Sequence, residues 1–398
     1  MRLHDLGEFF RLSAILNLQL SAVGGGSRNI LSLILGRRKL PEEEKVVLLE
    51  VMAYLDEAYG KARRRLGPQA VLHPLRATAL LARASEQPIP LDLLTCLLHD
   101  KLEDIPVRGT PESTAAELEA RFVTLLESVD PERKWYLMER LDWLTRRPGQ
   151  TYYAYIGRLL EHADDVPALV RVKLADRLDN TLDMRIDVDD PIRGVDFFAT
   201  MFRLMFVNGF KGYDPEVEHP DASPLNGAQR LYQLFKNAVL MSLIRKKLPN
   251  LEDSTSKAIF DVLAQASMKE AERIVLHIFA YHDIALPVQR ELIMDVMRYA
   301  QDGGLQHVTP PEAPHDLDGL FLSCFEDLNP AARKANLEKL YRDKPLMVKG
   351  ALAFIVIFMS FLDDPSYYVA GIHEGGMQAD ATDWEPQESM RDVVSARA

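Results

Sequence analysis

Apolar residues recur at three- and four-residue steps along nearly the whole chain, and alternating runs of the strand type are rare. A chain with that period must bury one stripe of each helix against other helices, so the expectation is an all-α protein. Helix punctuation supports this. Pro41 followed by Glu42, Glu43 and Glu44 has the make-up of a first helical turn, where the missing N–H costs nothing and carboxylates meet the positive dipole end. Thr110-Pro111-Glu112 and Asn329-Pro330-Ala331 pair a capping side chain with proline. Leu248-Pro249 should stop the helix running through Leu240 and Ile244.

Three polar, proline-bearing stretches, 187–194, 213–224 and 303–316, are candidate boundaries, and the main junction is placed at the second. The expected units are an N-terminal helical extension (1–44), a first domain (45–205), a C-terminal helical domain (225–365) and a flexible tail (366–398). The apolar stretch 351–362 is shorter than the ~20 residues a membrane span needs and reads as a buried helix. Asp5 and Glu8 fall where a signal peptide needs basic residues. Two cysteines, Cys96 and Cys324, cannot make a disulfide framework, which points to a reducing, cytoplasmic setting. The formal charge of −12 argues against nucleic acid as a partner and leaves room for a small anionic ligand at a local basic patch.

The chemistry concentrates in Leu97-Leu98-His99-Asp100-Lys101-Leu102-Glu103-Asp104. On one helix His99 and Glu103 would be four apart, as would Asp100 and Asp104, so all four project to one side. Imidazole and carboxylate together suit a divalent ion, and two further acids beside it suit proton handling. A His-Asp pair by itself is usually a capping or surface pair; it recurs at 4–5, 282–283 and 315–316 without the acids. The partners distinguish this one. His73 opens an apolar helix with Pro74 in its first turn, and Asp176 ends the apolar run from Leu169 to Ala175. Asp176, Asn180 and Asp183 then share a helical face. Two histidines and two aspartates leave coordination positions open, as a catalytic ion requires.

The ordered set His73, His99-Asp100, Glu103-Asp104 and Asp176 resembles the HD superfamily of metal-dependent phosphohydrolases. More narrowly it is similar to the hydrolase domain of RelA/SpoT-type guanosine polyphosphate enzymes and their small stand-alone relatives. Leu72-His73-Pro74-Leu75 looks like that family's I-x-H-P segment, 99–104 fits HD-x-x-ED, and 173–180 resembles K-L-A-D-R-x-x-N. The resemblance covers roughly 45–200. It implies an all-helical HD hydrolase domain, here with an additional C-terminal helical domain, that binds one metal, usually Mn²⁺, and removes pyrophosphate from the 3′ position of ppGpp or pppGpp. It implies His73, His99, Asp100 and Asp176 as metal ligands, Glu103 and Asp104 as catalytic acids, and Arg64 and Asn180 as nucleotide contacts. Lys173, charged amid apolar neighbours, is a further substrate-binding candidate. The chain departs from the family where Gln69-Ala70-Val71 replaces a tyrosine-bearing segment and Asp179 replaces a histidine common in the longer enzymes. The alternatives are hydrolysis of another nucleotide phosphate ester, or a nucleotide-binding regulatory module whose C-terminal helices dimerise or engage a protein partner.

Other features take plainer readings. The basic run 61–65 is by itself a solvated helix face, and its position ahead of His73 is what raises Arg64. Tyr152, Tyr153 and Tyr155 at helical spacing read as core, and His277 and His282 as structural. The loop 187–190 lacks the glycine of a calcium-binding EF-hand, and the glycines at 24–26 lack the lysine of a P-loop.

Overall fold

Capping side chains decide where many of the helices begin. In the computed structural model Asp130 accepts from the backbone N–H groups of Glu132 and Arg133, Thr151 from Ala154, and Asn329 from Ala331 and Ala332. The structure describes residues 6–21, 26–60, 62–64, 68–105, 112–127, 129–185, 192, 194–210, 226–247, 253–282, 284–306, 315–318, 320–325 and 329–372. Most of the boundary stretches 187–194, 213–224 and 303–316 lie outside them, as do the 24–25 glycines and the 187–190 loop.

The described residues form an all-α fold with no strands, only an isolated bridge between Arg63 and Gln69. In chain order the helices are α1 (Leu6–Ser21), α2 (Ser27–Leu35), α3 (Glu42–Tyr59), α4 (Leu72–Ala84), α5 (Pro90–Leu98), α6 (Lys101–Asp104), α7 (Glu112–Glu127), α8 (Pro131–Leu144) and α9 (Tyr152–Glu161). There follow α10 (Ala168–Arg185), α11 (Phe197–Phe206), α12 (Gly227–Lys247), α13 (Ser254–Tyr281), α14 (Leu286–Gln301), α15 (Leu320–Phe325), α16 (Pro330–Arg342) and α17 (Lys344–Asp363).

Two central helices organise the packing. α10 lies against α4 on one side and α13 on the other, and is buried nearly all round, including Asp176, Arg177, Asp179, Thr181 and Asp183. Helix α13 packs along α17, with Phe260 edge-on to Phe361 at 5.8 Å. Some buried polar groups join neighbouring helices. Arg177 Nε donates to Asn237 Oδ1 at 2.8 Å, and Asn237 Nδ2 donates to Thr181 Oγ1 at 2.8 Å and Ser267 Oγ at 2.9 Å, joining α10, α12 and α13.

Several expectations shift. The apolar stretch expected over 351–362 belongs to a 20-residue helix, α17, long and apolar enough to cross a membrane by length and composition. Its Phe354, Phe358 and Phe361 are fully buried against neighbouring helices, so it serves as a core helix here. The chain also packs beyond 366: Val369 is buried and its N–H reaches Ser242 Oγ, while Ala370 N–H reaches Gln306 O at 2.7 Å. Residues 373–398 lie outside the described residues. One apolar cluster runs from Phe9 to Ile372, and α10 is covered by both α4 and α13.

Candidate metal centre

Helices α4, α5 and α10 deliver the expected ligands to one point. His73 sits in the first turn of α4, and Asp176 in the middle of α10. His99 and Asp100 lie at a break and not on one continuous helix: α5 ends at Leu98, Asp100 has φ −93° and ψ 3°, and α6 starts at Lys101. The bond from Glu103 N–H to Asp100 O, at 3.2 Å, tightens this turn to i→i+3. The break leaves both His99 and Asp100 free to face α4 and α10.

His73 Nε2 stands 3.2 Å from His99 Nε2, 3.2 Å from Asp100 Oδ2 and 3.4 Å from Asp176 Oδ1. His99 Nε2 stands 3.3 Å from Asp100 Oδ1 and 3.8 Å from Asp176 Oδ1. Among the described residues, His73, His99 and Asp176 form the group whose potential ligand atoms all lie within 4.8 Å of one another. Ligands about 2.1 Å from a shared ion and at right angles around it would be separated by roughly 3 Å, which these spacings match closely.

Hydrogen bonds behind the imidazoles set which nitrogen faces inward. His73 Nδ1–H donates to Asp179 Oδ2 at 2.6 Å, and His99 Nδ1–H donates to the Cys96 carbonyl at 2.7 Å. With Nδ1 protonated, each neutral ring turns a lone pair at Nε2 toward the other ring and toward two carboxylates. Four acceptors facing one another are relieved only by a proton or a cation. Burial disfavours the charged imidazole at His73, yet Asp100, Asp176 and Asp179 hold it well above the usual histidine range. Burial likewise opposes the charged carboxylate at Asp176, yet Lys173 and the two histidines hold it well below the usual carboxylate range. The donor set, mixed nitrogen and oxygen with its outer partners in place, therefore fits a divalent metal ion.

The surrounding residues form a second layer. Glu103 is half-buried, and its Oε1 accepts the Arg146 backbone N–H at 2.5 Å; burial raises its carboxyl above the ordinary value. Asp104 closes α6, and its side chain lies outside the described residues. The three expected substrate contacts are near but internally engaged. Lys173 Nζ donates to Asp176 Oδ2 at 2.7 Å. Asn180 Nδ2 donates to Asp176 Oδ1 at 2.6 Å, and its Oδ1 accepts from Arg64 at 2.5 Å. Arg64 also bridges to Asp179 and Asp183 at 3.3 and 3.4 Å.

Sequence reasoning missed Arg76 and underread Asp179. Arg76 is fully buried, and its guanidinium grips Asp179 at 2.8 and 3.1 Å and Asp183 at 2.8 Å. A charged residue in the apolar run of α4, three positions after His73, was the available signal. Asp179, standing where the resembled enzymes often have histidine, orients His73. The plainer readings also have their places: Tyr152, Tyr153 and Tyr155 are buried, and His277 packs on Tyr281. Burial drives the Cys96 thiol strongly upward, so it is no nucleophile.

No protein-family model, curated protein or solved structure matches this chain. Its chemistry has to be read from the side chains themselves.

Proposed function

We propose that the protein is an HD-type, metal-dependent phosphohydrolase that removes pyrophosphate from the 3′ position of guanosine polyphosphates, with Mn²⁺ as the preferred ion. The observation that carries this reading is the convergence of His73 Nε2, His99 Nε2, Asp100 and Asp176 with both Nδ1 atoms already committed as donors. These four side chains would hold the ion. Once bound, it would polarise the phosphoryl group and lower the pKa of an attacking water.

The chain's own residues supply the rest. Glu103 has Oε1 fixed by the Arg146 N–H, which leaves Oε2 to accept a proton, and burial favours its protonated form. Asp104, one residue on, is assigned to the same proton traffic by its place in the motif. Lys173 and Asn180 bond both oxygens of Asp176 and so fix how that carboxylate points. Arg64 and Asn180 bond each other at the edge of the ligand cluster, where a nucleotide would compete for both. A reducing, cytoplasmic setting and a nucleotide substrate complete the proposal.

The test follows pyrophosphate release from ppGpp by the purified chain with manganese. Turnover that disappears in the Glu103→Gln, Asp104→Asn double substitution, with metal binding kept, is the expected result. Turnover of a different nucleotide alone would defeat the substrate assignment. Tight nucleotide binding without turnover would favour a regulatory module instead.

A further inference from the structure

The helices after residue 226 bring cations to the metal centre. Helix α12 packs on α9 and α10, the helices that carry Tyr152 and Asp176. Lys236 of α12 is half-buried and lies over the Tyr232 ring at 5.0 Å. Around it stand Arg177, Lys173 and Arg146, with Asp176 as the nearby acid. Lys173 already pairs with Asp176. The other two guanidinium groups bond only neutral partners: Arg177 to Asn237 and Gln233, and Arg146 to the Gln150 carbonyl. Among the described residues, then, no carboxylate pairs with the Lys236 ammonium or with the Arg177 or Arg146 guanidinium, in a chain whose formal charge is −12. Burial first, and then these cations, hold the Lys236 ammonium well below the usual lysine range.

A second observation falls at the same place. The Tyr152 hydroxyl is buried and has no hydrogen-bond partner among the described residues, although Lys173, Arg177, Asp176 and Tyr232 surround it. A buried hydroxyl without a partner costs about 1–3 kcal/mol, so the Tyr152 hydroxyl calls for an acceptor that the described residues do not supply. Uncompensated cations and an orphaned donor beside a metal-ligand cluster are what a phosphate group requires.

We propose that Lys236, with Arg146 and the Tyr152 hydroxyl, forms a phosphate subsite beside the metal centre, so that the C-terminal helices complete the site. It holds one phosphate of the substrate or the departing pyrophosphate. The subsite deepens the phosphohydrolase reading and rests on it for the identity of the anion. It also gives α12 a role in binding and not only in packing.

The experiment titrates inorganic pyrophosphate into the full chain loaded with manganese, by calorimetry, alongside Lys236→Met, Lys236→Arg and Tyr152→Phe. Loss of one charged hydrogen bond predicts about tenfold weaker pyrophosphate binding in Lys236→Met. Lys236→Arg should stay within about threefold of the unchanged chain, and Tyr152→Phe should lose a few-fold, by the same scale. Manganese affinity should stay the same in all of them, which a general loss of structure would not allow. Equal pyrophosphate affinity in Lys236→Met and the unchanged chain, or no pyrophosphate binding at all, overturns the subsite. Should manganese fail to bind, the metal-hydrolase reading falls, and the same comparison without metal still decides the subsite. If Lys236→Met does not fold, Arg146→Gln takes its place with the same expected loss.

Discussion

At the scale of the residue, Asp179 ties the ligand cluster to the cations behind it. It is fully buried, accepts from His73 Nδ1, and is held by two nitrogens of Arg76 and one of Arg64. An anion so placed is stable only because its partners neutralise it, and the partners are stable only because it is there. Asp179→Asn removes the charge with little change of shape. It leaves Arg76 buried with Asp183 as its remaining carboxylate and turns an amide toward cationic donors. The expected cost is about 3 kcal/mol in unfolding free energy, at the lower end for breaking a buried pair. Because His73 then loses the acceptor that fixes its tautomer, manganese affinity should fall about 10–100-fold. Denaturant titration and a metal-binding titration on the same variant check both. A stability change below about 1 kcal/mol would mean that Arg76 is satisfied without Asp179.

At the scale of the element, α17 poses a choice that composition alone does not settle, since its 20 residues could serve a bilayer or a core. The packing decides. Phe358 is fully buried, stacks toward Phe354 at 5.9 Å and lies near Phe361. Phe358→Ala should therefore cost about 3–5 kcal/mol, measured by urea unfolding of the purified chain without lipid or detergent. An unchanged midpoint would mean that the helix faces something other than the protein interior. Helices and several of their starts were legible in the sequence, because caps and prolines act locally: Pro41 and the three glutamates after it open α3, and Asn329 and Pro330 start α16. The break between α5 and α6 was not, because the run from Leu97 to Asp104 has an unbroken helical period and no breaker residue. The convergence of His73, His99 and Asp176 was legible because each interrupts an apolar run at a point where a polar group needs a reason. Lys236 was invisible for the opposite reason. It is an ordinary lysine on an amphipathic helix, and only the seating of α12 on α10 brings it near Asp176.

At the scale of the whole molecule, the question is whether the halves before and after 213–224 fold apart, as the sequence boundary suggests. The site helix argues that they do not. α10 presents Asp176 and Asp179 toward α4, while the Arg177 guanidinium is met only from α12, by Asn237 and Gln233, and Asn237 in turn joins Thr181 on α10 to Ser267 on α13. Arg230 of α12 reaches back to the Met184 carbonyl and forward to Glu270 at 2.6 Å, both deep inside. Removing α12 and α13 would thus expose an apolar face of α10 and take away every side-chain and backbone partner of the Arg177 guanidinium. The halves should accordingly unfold together. Calorimetry of the metal-free chain is expected to give one transition whose calorimetric and van't Hoff enthalpies agree, and residues 1–210 alone should not form a cooperative monomer. Two resolved transitions would mean that each half keeps its own core. In that case α10 could present the ligand cluster without α12, and the metal centre would belong to the first half alone.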